Sequence, residues 1–213
     1  MINPFVNLSF YFSCKRDIKR DKEFCGRELG KFVPTPFEEE FGATGSQSAP
    51  YLGLDIVLQD LKLSPDDSII DIGCGKGRAI AYLLSHGYNC KITGIEINPE
   101  VAAVAREWTK PYPNVEIIEG DAFGLDYNDY NVLYMYRPMD TGAFICFVEL
   151  LEETLTHDIK LYYYVDIQSG FYINGRNGWT LEKQEYIYRV DGHYIHKVPQ
   201  RYSVWTYTAK NNR

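Results

Sequence analysis

The densest group of chemically capable residues is the run Asp71-Ile72-Gly73-Cys74-Gly75-Lys76-Gly77-Arg78. Glycines at a strand-to-helix turn let the backbone approach a ligand closely, and the amino end of the following helix offers N–H groups without helical partners. Many nucleotide binders own such a loop, so its details matter. The spacing is Gly-x-Gly-x-Gly, whereas dinucleotide binders use Gly-x-Gly-x-x-Gly. No Lys-Ser or Lys-Thr follows the glycines, as a phosphate-loop NTPase requires. Asp71, two residues before the first glycine, would repel a pyrophosphate but could hold a cationic group. Glu96 lies about 20 residues further on, where an acid commonly receives the two hydroxyls of a ribose. Asp121, in Glu119-Gly120-Asp121-Ala122, could accept a bond from an exocyclic adenine amine. The three acids together describe a ligand with a cationic amino-acid end, a ribose and an adenine, and no phosphate.

Such residues act together only if a scaffold brings them to one edge. Ser68-Ile69-Ile70-Asp71-Ile72 is a short β-branched run stopped by Gly73, as expected of a buried parallel strand. A helix with apolar positions from Leu52 to Leu63 precedes it, and a helix over Arg78–His86 follows. The alternation continues with a strand at Ile92–Ile97, a helix opened by Pro99 and running to Trp108, and strands at Val115–Ile118 and Asn131–Tyr136. A helix over Ala143–Leu155 and a strand over Ile159–Asp166 complete the rhythm. Lys183–Val190 and Ser203–Thr208 read as two strands joined by a turn too short for a full helix. The expected fold is α/β: a doubly wound, Rossmann-like, mostly parallel seven-stranded sheet with a C-terminal antiparallel hairpin. In such sheets ligands bind over the carboxyl ends of the strands, where all three acids fall.

With these motifs the sequence resembles the class I S-adenosylmethionine-dependent methyltransferases, over roughly residues 51–208. The matching elements are the Asp71–Gly77 loop, Glu96, Gly120-Asp121-Ala122 and Tyr136-Arg137-Pro138. Gly42-Ala43-Thr44-Gly45 followed by Tyr51 is similar to the entrance segment of a bacterial subgroup. The resemblance implies S-adenosyl-L-methionine as cofactor. Asp71, Gly73 and Gly75 would then line its methionine end, Glu96 the ribose, and Asp121 with Ala122 the adenine, with Cys74, Ile97 and Tyr136 as further neighbours. One place departs from the family. Members acting on adenine or glutamine carry Asn/Asp-Pro-Pro-Tyr/Phe after the fourth strand, and here the chain reads Tyr136-Arg137-Pro138-Met139. Arg137 thus disfavours a base-flipping adenine methyltransferase. It could hold a carboxylate or phosphate of the substrate, or simply pair with Asp140 or Asp166; both readings stand.

Methyl transfer from a sulfonium needs mainly proximity, with nucleophile and methyl in line at about 3 Å. A base is needed only if the acceptor arrives protonated. Tyr136, Arg137 and Asp140 are the candidate catalytic residues, with Asp166 a further possible base; Asp140 doubles as a candidate helix cap. Tyr162-Tyr163-Tyr164 should alternate faces and pack, His193-x-x-His196 is not expected to bind metal, Cys74 reads as a small residue in a tight turn, and Trp108 and Trp205 as packing residues.

Residues 1–50 read as an N-terminal helical segment and a Pro/Gly/Ser-rich loop that could form a lid, and residues 51–213 as the cofactor-binding domain. The segment's charge run, from Lys15 to Lys31, is read as a solvated helical face with i,i+4 pairs in preference to a nucleic-acid arm. The 213 residues include 22 Lys and Arg against 29 Asp and Glu, a net charge of −7, which opposes unspecific attraction to nucleic acid or anionic lipid. A protein side chain or small molecule is therefore favoured as acceptor, with nucleic acid kept open by the basic segment. Five scattered cysteines without a Cys-x-x-Cys pair, no signal-peptide pattern and no run of about 18 apolar residues suit a cytoplasmic location without membrane insertion. Competing readings are a non-catalytic nucleoside-binding module, suggested by Arg137, and an NAD-dependent oxidoreductase, which the glycine spacing disfavours.

Overall fold

A computed structural model of the protein describes residues 4–210. The expected central sheet forms from strands β1 (Ser68–Ile72), β2 (Lys91–Glu96), β3 (Val115–Glu119), β4 (Val132–Tyr136), β5 (Ile159–Tyr164), β6 (Trp179–Ile187) and β9 (Gln200–Tyr207). Their order is β3-β2-β1-β4-β5-β9-β6. The first five run parallel, and β9 lies antiparallel between β5 and β6. Strand order therefore reverses between β1 and β4, and a crevice opens above their carboxyl ends at such a point.

Every residue of β1 is buried, which is why its sequence is a near-continuous apolar run. The sheet's two faces carry separate cores. Ile69, Tyr134, Tyr162 and Tyr164 share one with helices α3 (Tyr51–Val57) and α4 (Arg78–Ser85) and with Trp108 of α5 (Pro99–Thr109). Ile70, Ile72, Leu133, Met135 and Tyr163 share the other with Phe144, Phe147 and Leu151 of α6 (Thr141–Thr154). The three consecutive tyrosines thus alternate between cores. Pro99 opens α5 behind the cap residue Asn98, whose side chain accepts from the amides of Glu100 and Val101.

Three local expectations are corrected. The helix from Tyr51 ends at Val57 instead of running on to Leu63: Leu58 and Leu61 stay buried, but in turns closed by Leu61 N–H on Leu58 O. The tail strands are not joined by a simple turn. A two-stranded ribbon, β7 (Arg189–Val190) and β8 (His193–Tyr194), intervenes, turning through Asp191 and Gly192, both with positive φ as a tight hairpin requires. The basic N-terminal run is not simply solvated. It belongs to a long helix α1 (Pro4–Cys25) in which Lys19 and Glu23 make the expected exposed i,i+4 pair at 3.7 Å, yet Asp17 and Asp21 are buried. Asp21 receives two bonds from the Arg78 guanidinium, at 2.9 and 2.5 Å, and one from the Leu29 amide. The ribbon meets α1 from the other side, where the Tyr194 amide donates to Ser9 Oγ. Along the chain between α1 and α3, a four-residue helix α2 (Glu38–Phe41) forms within the Pro/Gly/Ser-rich stretch. No helix among the described residues is long and apolar enough to cross a membrane.

Candidate active site

The glycine loop leaves β1 with Gly73, Gly75 and Gly77 all at positive φ, a path closed to most side chains. Gly73 sits against Pro138, and a side chain at Gly75 would strike Ser46 Oγ, so the loop is sandwiched beneath the two segments that cover it. The Cys74 amide bonds Ile95 O, which ties the loop to β2. Cys74 itself is buried, and burial pushes its thiol up, away from the reactive thiolate. Trp108 donates to Lys76 O at 2.8 Å; its place is structural.

Glu96 ends β2 beside this loop. One carboxylate oxygen accepts the Gly75 amide and the other the Asn98 amide, each at 2.9 Å. These bonds partly offset the burial that raises its pKa, hold the carboxylate at one place, and leave lone pairs for ligand hydroxyls. Asp71 lies behind the glycines, 4% exposed, with no hydrogen bond to its carboxyl among the described residues. Burial, with the charge of Glu96 second, pushes it up to about 8. Its register partner Tyr134 has a buried hydroxyl that is likewise unpaired among the described residues. A carboxyl this deeply buried beside a second acid is a costly arrangement that a cationic ligand group would relieve. A cleft beside the loop is lined by Ile97, Asp121, Ala122, Phe123 and Met139 among others. Asp121 has one oxygen on the Phe123 amide at 3.0 Å, and the other remains for a ligand. The residues fit S-adenosylmethionine: an acid for an ammonium, an acid for a ribose, and an apolar slot with an acid for an adenine.

The entrance segment covers this crevice. Thr44 donates its amide to Pro138 O at 2.9 Å and its hydroxyl to Arg137 O at 2.7 Å, while Ala43 bridges to Met139. Next to it opens a cavity of about 720 Å³. Tyr136, Arg137 and Val165 line it from the ends of β4 and β5; Asp17 and Cys14 from α1; and His196 from the chain after β8. Arg137 and Val165 both have positive φ, 40° and 61°. For a β-branched residue such as Val165 that is a true outlier, and backbone strain of this kind collects at functional sites. Burial pushes the Tyr136 hydroxyl up to about 12.

Of the remaining candidates, Asp140 is the cap of α6, accepting the Ala143 amide at 2.8 Å, and does not line the cavity. Asp166 is fully buried and bonded to Arg201 at 2.6 Å and Ser203 at 2.6 Å. Neither pairs with Arg137, which has no ion pair among the described residues. Residues 193 and 196 belong to no group of three or more His, Cys, Asp or Glu placed to hold an ion among the described residues. His196 instead shares a 2.5 Å hydrogen bond with the Tyr164 hydroxyl, and burial drops its pKa to about 4. Local motif reading missed Asp17, Cys14 and His196. The one signal for Asp17 was its i,i+4 spacing to Asp21 within a basic run, two acids on one helical face.

This strand order and this crevice are those of the class I S-adenosylmethionine-dependent methyltransferases. Residues 69–143 match a family described as "Methyltransferase domain". A probable ribosomal RNA small subunit methyltransferase A of Methanosarcina acetivorans is 26% identical over 147 residues, covering 69% of this chain and 54% of that protein. The chain thus spans about half the length of the curated relative it matches. Among solved structures, a methyltransferase from Pyrococcus furiosus superposes with a TM-score of 0.62 at 16% identity, covering 93% of this chain and 98% of that one. An RNA methyltransferase from Salinibacter ruber in complex with S-adenosyl-L-homocysteine superposes with a TM-score of 0.50 at 20% identity, covering 83% and 93%. The chain carries a methyltransferase domain of this class, with S-adenosylmethionine as its cofactor.

Proposed function

We propose that the protein transfers a methyl group to a small-molecule nucleophile held in the 720 Å³ cavity. The observation that carries this reading is that α1 and the segment after β8 both contribute walls to that cavity, with α1 tied to β8 by the Tyr194 amide on Ser9 Oγ. A volume of this size suits a metabolite, and the net charge of −7 opposes a polyanion. The cofactor supplies a sulfonium-activated methyl group. The chain's own residues then have three tasks. Asp71 and Glu96 fix the cofactor's two polar ends; Arg137, Tyr136 and Asp17 orient the acceptor; and the entrance segment with α1 excludes water. Proximity rather than acid–base chemistry supplies most of the acceleration. Residues 1–50 act as a lid over the two sites, and residues 51–213 as the cofactor-binding domain.

Ribosomal RNA is the second reading, favoured by the curated relatives and by the exposed Lys15, Arg16 and Lys19 of α1. Neither the non-catalytic nor the NAD-dependent reading gains support from the relatives. The deciding experiment supplies isotopically labelled S-adenosylmethionine together with either a small-metabolite extract or purified ribosomal RNA. Label in a low-mass product is expected. Label only in RNA would overturn the small-molecule reading, and label in neither, with no binding of S-adenosylhomocysteine, would overturn the enzyme.

A further inference from the structure

Six charged residues line the cavity: Glu28, Glu38 and Lys197 are exposed, whereas Asp17, Arg78 and Arg137 are buried or half-buried. Arg78, one of its cations, is already neutralised: Asp21, with no exposed surface, takes two of its N–H bonds. Asp17 approaches the same guanidinium at 3.6 Å, so it is a surplus carboxylate, 7% exposed, and it faces the cavity. Beside it the Tyr164–His196 pair is satisfied internally, and a neutral imidazole brings no positive charge. Arg137 stands at the end of β4 on the same cavity, half-buried and without a carboxylate of its own among the described residues. Its carbonyl is pinned by Thr44 and its backbone is held left-handed. Folding thus places two buried carboxylates, Asp17 and Asp21, on the one Arg78 guanidinium, and sets Arg137, which pairs with neither, on the same cavity. Buried charges left in this state are unfavourable unless a partner arrives.

Resting on the small-molecule reading above, we infer that the acceptor is a zwitterion, with an amine facing Asp17 and a carboxylate or phosphate facing Arg137. Such a ligand neutralises both groups at once, and a fork-shaped guanidinium suits either anion. Asp17 and Arg137 are then the residues that set acceptor specificity. Burial holds Asp17 up to about 6, so it is ionised at neutral pH and ready for an ammonium.

The test is calorimetry on the protein saturated with S-adenosylhomocysteine. The probes are the ω-amino acids of one to five methylenes and O-phosphoethanolamine, with alkylamines and alkyl carboxylates of the same lengths as one-pole controls. One chain length should bind best, the one-pole controls at least tenfold more weakly. Asp17→Asn and Arg137→Met should each lose at least tenfold, and Asp17→Glu should recover part of it. Preference for carboxylate or phosphate assigns the anionic pole. Absence of zwitterion binding, equal binding of one-pole controls, or tighter binding of an RNA oligonucleotide overturns the inference while the methyltransferase reading stands. Failure of S-adenosylhomocysteine itself to bind wild-type protein removes both.

Discussion

Asp71 offers a stability measurement that reports on the cofactor site without any acceptor. Its carboxyl is raised from 3.8 to about 8 by burial and by Glu96. The folded chain therefore holds a proton there that the unfolded chain releases near pH 4. Since the folded state binds more protons across this window, stability of the ligand-free protein falls as pH rises from about 4 to about 8. Each pH unit costs at most about 1.4 kcal/mol. Asp71→Asn keeps size and polarity but cannot ionise, so it should be more stable than wild type by up to about 1.6 kcal/mol at pH 5 and about 4 kcal/mol at pH 7. Urea unfolding of both proteins at pH 5, 6, 7 and 8, without ligand, reads this directly, and a gap that widens with pH is the expected outcome. The same variant should lose affinity for S-adenosylhomocysteine, because it has surrendered the anion proposed to face the ligand's ammonium. In wild type, binding should release a proton and weaken as the medium is acidified below pH 8. A stability gap that stays constant between pH 5 and 8, or an Asn variant that is less stable throughout and binds normally, would refute the reasoning.

Removing the ribose acid, Glu96→Ala, should weaken S-adenosylhomocysteine binding at least tenfold by calorimetry, about 1.4 kcal/mol; an unchanged affinity would place the ribose elsewhere. Asp21→Asn leaves Arg78 buried without its main counter-charge, and the penalty for breaking such a pair is about 3–5 kcal/mol. Because α1 can undock and let Arg78 hydrate, the measured loss should show first as faster amide exchange along residues 4–25. The double variant Asp21→Asn/Arg78→Met should regain much of it, and unaltered exchange in the single variant would count against the latch. Deleting residues 1–45 removes α1, the entrance segment and half of the acceptor wall. Turnover should be abolished and cofactor affinity lowered, whereas full activity in the truncated protein would show that the segment is no lid.

Which parts were legible follows from the range of the interactions involved. The glycine loop, Glu96 and Asp121 announce themselves because each lies at or just past the end of a strand that the local sequence marks, and the β-branched run before Gly73 dictates the first of these strands. Asp140 was ambiguous for the same reason: cap and acid have one sequence signature, and only the 2.8 Å bond to the Ala143 amide distinguishes them. The tail ribbon escaped because Asp191-Gly192 sits between strands of two residues, too short for a visible alternation. The acceptor cavity was hidden for a different reason. Its walls come from α1, the end of β4 and the chain after β8, more than 180 residues apart, and no local pattern links Asp17 to His196. Arg78 is the hinge of the matter. In the sequence it is the last residue of a nucleotide-binding motif; in the fold its side chain turns away from the cofactor to bind Asp21 and the carbonyl of Ala49. Arg78, the residue directly after the glycine loop, thereby fastens α1, so exchanging α1 between relatives without Arg78 and Asp21 together should leave the cofactor bound and the proposed acceptor site unformed.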